Sequence, residues 1–200
     1  MTHHHKDHTA GVLKLLELFP KAFVYSPDKS IEGTTHILIN GTKLKTPLNE
    51  FKVINTPGHT LDHIILYDKK NSLLFCGDVL FRLGCGRVFE GTLEQMHKSL
   101  QKINILPDET MVYCGHEYTI ANLNFLKSIF ENISCLNEEE KNIKIEIEKN
   151  LRSIPFRLGN EKLFNPFLNQ ESIYFSEFKK KHNLTNFEMF KLVREKKDQF

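Results

Sequence analysis

Short β-type apolar runs fill the middle of the chain, and helical spacing fills its end. Residues 22–25, 36–39, 51–54, 63–67 and 72–76 are runs rich in β-branched, aromatic and leucine residues. Ser26-Pro27-Asp28, Asn40-Gly41 and Asp68-Lys69-Lys70-Asn71 supply turns between them, and residues 110–114 make a further strand. Residues 12–19 read as a short helix stopped by Pro20. Thr92 caps a helix running to about Ile103, with Gln95 at the capping-box position. From Thr119 onward the spacing is helical. One helix starts with Ile120, Leu123 and Lys127. A second covers 137–151, acidic early and lysine-rich late, as a helix dipole prefers, and a third covers 187–197. Pro155 and Asn165-Pro166-Phe167 punctuate a loop. The pattern predicts a mixed α/β domain over residues 1–118 and an α-helical domain over 119–200, with the boundary near Tyr118.

Composition narrows the class. Hydrophobic residues at 40% and charged residues at 26% describe a soluble globular chain, and 200 residues suffice for one compact domain and a small appendage. A net charge of +2 argues for neither nucleic acid nor a membrane surface as partner. No apolar window approaches the ~18 residues of a membrane span. The expectation is a cytoplasmic monomer acting on a small molecule. Cys76, Cys85, Cys114 and Cys135 lack C-x-x-C spacing, which predicts reduced, mostly buried thiols.

Chemistry concentrates at the start, in Thr2-His3-His4-His5-Lys6-Asp7-His8. Imidazole and carboxylate hold borderline metals such as zinc. In an extended stretch His3 and His5 point the same way. A turn at Lys6 then swings Asp7 and His8 toward a second position about one metal–metal spacing, ~3.5–4 Å, away. The bland alternative is a purification tag, but a tag is an uninterrupted His run and Lys6-Asp7 breaks this one. Three strand ends add ligands: Gly58-His59-Thr60, Gly77-Asp78 and Gly115-His116-Glu117, each with Gly immediately before the ligand. Gly there permits a φ > 0 turn or a close backbone approach. Five His and two Asp are enough for two metals. No G-x-S-x-G elbow or phosphate loop is present, and Cys85, beside Arg87, has no His partner nearby in sequence.

These stretches, in order, resemble the metal motifs of the metallo-β-lactamase superfamily. More narrowly, the chain is similar to the glyoxalase II (hydroxyacylglutathione hydrolase) family in Gly77-Asp78-Val79-Leu80-Phe81, Gly84-Cys85-Gly86-Arg87, Tyr113-Cys114-Gly115-His116-Glu117-Tyr118-Thr119, Asn165-Pro166-Phe167 and Arg194-Glu195-Lys196-Lys197-Asp198-Gln199-Phe200. The match includes the C-terminal helices, which most of the superfamily lacks, and it removes the tag reading. The resemblance implies an αββα sandwich followed by a small all-α domain. It places His3, His5 and His59 on one divalent metal, Asp7, His8 and His116 on a second, and Asp78 between the two, with zinc, iron or manganese as the ions. It implies that a hydroxide between the metals, positioned by Asp7 and Asp78, attacks the thioester carbonyl of S-D-lactoylglutathione, giving D-lactate and glutathione in methylglyoxal detoxification. Arg87, Phe89, Tyr118, Arg194 and Lys197 fall at the family's glutathione-binding positions.

Departures from the family carry expectations of their own. Arg87 replaces a Lys, Phe89 a Tyr, and Asp62 a Gly in the turn after His59. The family has several strands before the His motif. Their absence here reads as N-terminal truncation, leaves open an organellar form, and predicts an uncovered sheet edge and apolar surface. The competing readings are a mononuclear iron enzyme like the glutathione persulfide dioxygenases and a catalytically impaired truncated remnant.

Overall fold

The computed structural model describes residues 1–130 and 134–200, and side chains over 1–130 and 136–200. In chain order the first elements are α1 (Lys6–Thr9), α2 (Val12–Leu18), β1 (Tyr25–Ser26), β2 (His36–Ile37), β3 (Lys43–Lys45), β4 (Glu50–Asn55), β5 (Ile64–Asp68) and β6 (Leu73–Gly77). They are followed by β7 (Leu80–Phe81), β8 (Gly84–Cys85), α3 (Leu93–Asn104) and β9 (Met111–Cys114). The C-terminal part holds α4 (Thr119–Ile129), α5 (Ser134–Asn150), β10 (Phe156–Arg157), α6 (Leu158–Phe164), α7 (Ser176–Lys181) and α8 (Asn186–Gln199). An N-terminal mixed α/β domain is thus followed by a helical one, which lends the two-residue β10 to the central sheet.

That sheet has six strands in the order β10-β9-β6-β5-β4-β3. Neighbours are antiparallel except β6 and β9, which are parallel. Strands β4, β6 and β9 therefore run in one direction and end at the same sheet edge. Those are the strands that lead into His59, Asp78 and His116.

Alternation of side chains divides the sheet into two faces. Val53 pairs with Leu66 and turns one way; Ile54 pairs with Ile65 and turns the other. The Ile54/Ile65 side joins a large core in which Met96, Leu100 and Ile103 of α3 meet Phe125, Phe167, Phe175 and Phe190 of the C-terminal domain. The opposite side has a core of only Leu38, Val53 and Ile64, covered by the parallel β1–β2 ribbon and by α2, which buries no residue. Around it Leu15, Leu18, Phe19, Phe23 and Ile39 are all more than half exposed. Cys76 and Cys85 are buried free thiols and Cys114 is half-buried; Cys135 lies outside the described side chains. Among the described residues no helix is long and apolar enough to cross a membrane.

Candidate metal centre

The N-terminal stretch reaches the sheet through Thr2, whose carbonyl accepts from Ile64 N (2.9 Å), and Met1, whose amino group donates to Tyr25 O (2.6 Å). Burial lowers the pKa of that amino group. His3 is fully buried, and one helical turn, α1, then carries Asp7 and His8 round to the end of β9. Among the described residues four overlapping groups of ligand atoms result, each within 4.8 Å: His3 with His5 and His59, Asp7 with His8 and His116, His3 with His8 and Asp78, and His4 with His5 and Glu90. Asp78 reaches both of the first two. Its Oδ2 lies 3.6 Å from His59 Nε2, 3.4 Å from His8 Nε2 and 3.3 Å from His116 Nε2. All seven residues singled out as ligands are therefore brought together.

Local geometry aims their lone pairs inward. The Nδ1 of His59 donates to Arg87 O (2.7 Å), so its Nε2 is the unprotonated nitrogen, and it faces His5 Nδ1 at 3.1 Å. The Nε2 atoms of His8 and His116 face each other at 3.2 Å. Burial, followed by the surrounding imidazoles, holds His3 down to about 2, and burial also lowers His59. Both are thus kept in the neutral form a metal requires. Two atoms at the heart of the cluster, His3 Nε2 and Asp78 Oδ1, are buried without a hydrogen-bond partner among the described residues. Buried polar atoms normally have one. A cation between them satisfies both, so five imidazoles and two carboxylates fit a pair of divalent ions, and this donor set accepts zinc, iron or manganese.

The glycines before the ligands have physical reasons. Gly77 has φ +50°, and a Cβ there would sit 2.6 Å from Thr2 Oγ1 and 2.8 Å from His63 Nε2. A Cβ at Gly115 would overlap Asp78 Oδ1 and approach His8 Cε1 to 2.8 Å. His63 is a functional residue the sequence reading passed over as the start of a strand. It is fully buried, its Nε2 accepts from Asp78 N (3.1 Å), and its Nδ1 therefore donates to Thr56 Oγ1 (3.0 Å). The ring thus fixes the backbone of the residue that joins the two clusters. Its spacing, four residues after His59 on the same turn, was the available signal.

A cavity of about 450 Å³ opens over the ligands, walled by Phe81, Gly86, Arg87, Phe89 and Tyr118. Tyr118 stacks on His116, with ring centroids 5.0 Å apart, and Phe89 packs edge-on against His5 and His59. Three of the five residues expected to bind the substrate therefore line it. The other two do not. Arg194 is buried, with its guanidinium committed to Cys85 O (2.9 Å) and Asp198 Oδ1 (3.0 Å). Lys197 donates to Asn122 Oδ1 and lies over the Phe125 and Phe167 rings, and burial lowers its pKa to about 8. Both cations act as internal ties, because the apolar face of α8 carries them into the domain contact. Cys85 is no nucleophile either: it is buried, and desolvation pushes its thiol up.

Those ties hold the pocket wall. The hairpin β7–β8 turns through Leu83 at φ +59°, and its carbonyls are met by C-terminal side chains. Asn165 Nδ2 donates to Phe81 O (3.3 Å) and Gly84 O (3.0 Å), and Asn122 Nδ2 to Arg82 O (2.8 Å). Leu83 N donates to Glu161 Oε2 (2.7 Å). Arg82, also buried, pairs with Glu139 (2.8 Å) and Glu146. On the opposite side of the site, Asp62 accepts from Thr60 Oγ1 (2.6 Å) and faces His4 Nδ1 at 3.0 Å. Burial works against a charge on His4, but the Asp62 hydrogen bond and the charges of Asp62 and Glu90 outweigh it and raise its pKa.

Comparison with known proteins agrees with this architecture. Residues 1–116 match the family model of the metallo-beta-lactamase superfamily, and residues 117–200 match that of the hydroxyacylglutathione hydrolase C-terminus. Among solved structures, ETHE1 from Myxococcus xanthus is 25% identical, covering 96% of this chain and 72% of that one, with a TM-score of 0.61. The BLEG-1 B3 metallo-beta-lactamase is also 25% identical, over 83% of this chain and 74% of that one, with a TM-score of 0.58. TTHA1623, in a di-iron-bound form, is 24% identical over 84% and 75%, with a TM-score of 0.57, and shares the fold. A match over more than half the residues, on a sheet whose strand ends gather two His/Asp clusters, establishes the family. The chain belongs to the metallo-beta-lactamase superfamily.

Proposed function

We propose that the protein is a thioester hydrolase that cleaves S-(2-hydroxyacyl)glutathione, with S-D-lactoylglutathione as substrate and D-lactate and glutathione as products. The observation that carries this reading is the combination of seven convergent ligands under one open cavity with a C-terminal domain of hydroxyacylglutathione hydrolase type. In this reading residues 1–118 carry the chemistry, and residues 119–200 shape the wall against which the substrate lies. His3, His5 and His59 would hold one divalent ion, Asp7, His8 and His116 the other, with Asp78 within reach of both groups. When bound, such a pair supplies Lewis acidity and a water activated at neutral pH.

The remaining roles belong to the side chains of the cavity. Arg87, 59% exposed at the rim, is the cation placed to take a glutathione carboxylate, and its planar fork suits a bidentate grip. Phe81, Phe89 and Tyr118 give the acyl and thioether carbons an apolar bed. A thiolate leaves at a pKa of ~8.5, so no strong general acid is needed. The test is loss of thioester ultraviolet absorbance from S-D-lactoylglutathione, together with metal analysis of the same preparation. About two ions per chain with turnover supports the reading. Two ions with no turnover refutes the substrate, and one iron with oxygen uptake favours the mononuclear alternative.

A further inference from the structure

His4 sits between two ligand residues, yet its ring turns away from the cavity. Its Nδ1 lies 3.0 Å from Asp62 Oδ1 and its Nε2 3.0 Å from Glu90 Oε1. The Asp62 contact is a hydrogen bond, and Glu90 makes a close polar contact on the other side of the ring. Neither acceptor is loose. Thr60 Oγ1 also donates to Asp62 Oδ1 (2.6 Å), and Leu61 N donates to Glu90 Oε2 (3.0 Å). Phe89 N in turn donates to His59 O (3.2 Å), which joins the Glu90 segment to the His59 turn. Three pieces of chain are stitched together here: the 3–5 stretch, the 59–62 turn and the pocket-wall segment ending at Glu90. The first two carry His3, His5 and His59.

The other ties of the 3–5 stretch are local: Thr9 Oγ1 donates to His5 O (3.1 Å) and His4 O (3.5 Å), His8 N donates to His5 O (3.0 Å), and Thr2 Oγ1 meets His3 Nδ1 (3.1 Å). Among the described residues the backbone of His3, His4 and His5 makes no hydrogen bond to a strand; Thr2 is the last residue that does. A three-His site requires its imidazoles to be fixed relative to one another to a fraction of an ångström.

We propose that His4, Asp62 and Glu90 form a clamp that positions His3 and His5 against His59, and so sets the cation affinity of that trio separately from the Asp7/His8/His116 trio. His4 is a positioning residue, not a ligand. The inference rests on the two-cation reading above.

The experiment uses the full chain loaded with zinc and measures equilibrium release of each ion to a chromophoric chelator. It compares wild type with His4→Ala and Glu90→Gln, and far-UV circular dichroism checks the fold. One of the two ions is expected to be lost about tenfold more readily in both variants, with the other held as in wild type. Cobalt loading gives a second readout, a changed visible spectrum for the weakened site only. Release curves identical to wild type in both variants overturn the clamp. Equal weakening of both ions also overturns it, because that is what general loosening produces. If His4→Ala does not fold, Glu90→Gln decides alone, since Glu90 lies at the surface. A wild-type protein that takes up no zinc refutes the two-cation reading instead, so the two failures are distinguishable.

Discussion

Glu161 offers a quantitative test of how the helical domain holds the pocket wall. Its carboxylate is buried, accepting from Leu83 N (2.7 Å) and from Asn165 Nδ2 (2.9 Å) through Oε2. Burial dominates over those two hydrogen bonds and over the charge of Arg82, and raises the pKa from 4.5 to about 7. Between those values the native protein keeps a proton that the unfolded chain has released. Stability therefore falls as pH rises through that window and is level above it. At about 1.4 kcal/mol per pH unit, the gap from 4.5 to about 7 corresponds to about 3 kcal/mol. Glu161→Gln keeps an oxygen for Leu83 and Asn165 but cannot ionise. In urea titrations of both proteins, the stability of Glu161→Gln relative to wild type should climb by about 3 kcal/mol from pH 4.5 to somewhat above 7. Histidine and metal contributions are common to both proteins and cancel. A difference that stays constant across this range would refute the reasoning and mean that the carboxylate is solvated or fully compensated by Arg82.

Four further perturbations separate ligand geometry, substrate grip and internal support. Asp78→Ala removes the carboxylate that reaches both clusters and should abolish turnover; near-full activity in the thioester assay would be incompatible with a shared two-ion centre. Gly115→Ala places a methyl group against Asp78 Oδ1 and His8, so kcat/KM should drop about a hundredfold, with an unfolding midpoint close to wild type. Arg87→Ala should raise KM for the glutathione thioester at nearly unchanged stability, because its contact with Asp198, at 3.5 Å, is largely solvent-exposed. Arg194→Ala should do the reverse: it leaves the buried Cys85 carbonyl without its donor and costs about 2–4 kcal/mol in urea unfolding.

The longer strands β4, β5, β6 and β9 were legible because each has a face that must be buried, and alternation writes that face into the sequence. The capping box at Thr92 was legible too, whereas the one at Thr185, with Glu188, was not singled out from the sequence. The β7–β8 hairpin was not legible. Its turn is Phe81-Arg82-Leu83-Gly84, with none of the usual turn residues at the two central positions, because Glu161 and the donors Asn122, Asn165 and Arg194 hold the hairpin from outside. Strand β3 is flanked by Lys43 and Lys45 and looks like a solvated loop until β4 is beside it. The ligand set was readable as chemistry, since histidines and aspartates at strand ends have few other uses in such number. The direction of a side chain on a helix was not. Arg194 and Lys197 match a substrate-binding pattern, yet one points to a carbonyl 109 residues away and the other to Asn122. Nothing local records such long-range partners.

The clasp on the pocket-wall hairpin also imposes an order of events during synthesis. Cys85 is made 109 residues before Arg194, its hydrogen-bond donor. At the ~5–20 residues per second of a translating ribosome, that separation is a delay of roughly 5–20 s. From the making of His116, 78 residues before Arg194, the candidate ligands from His3 to His116 all exist as chain, while one wall of their pocket still has empty-handed carbonyls. A nascent chain that captures cations early would do so in a half-walled cleft, with the substrate surface completed only when the last helix docks.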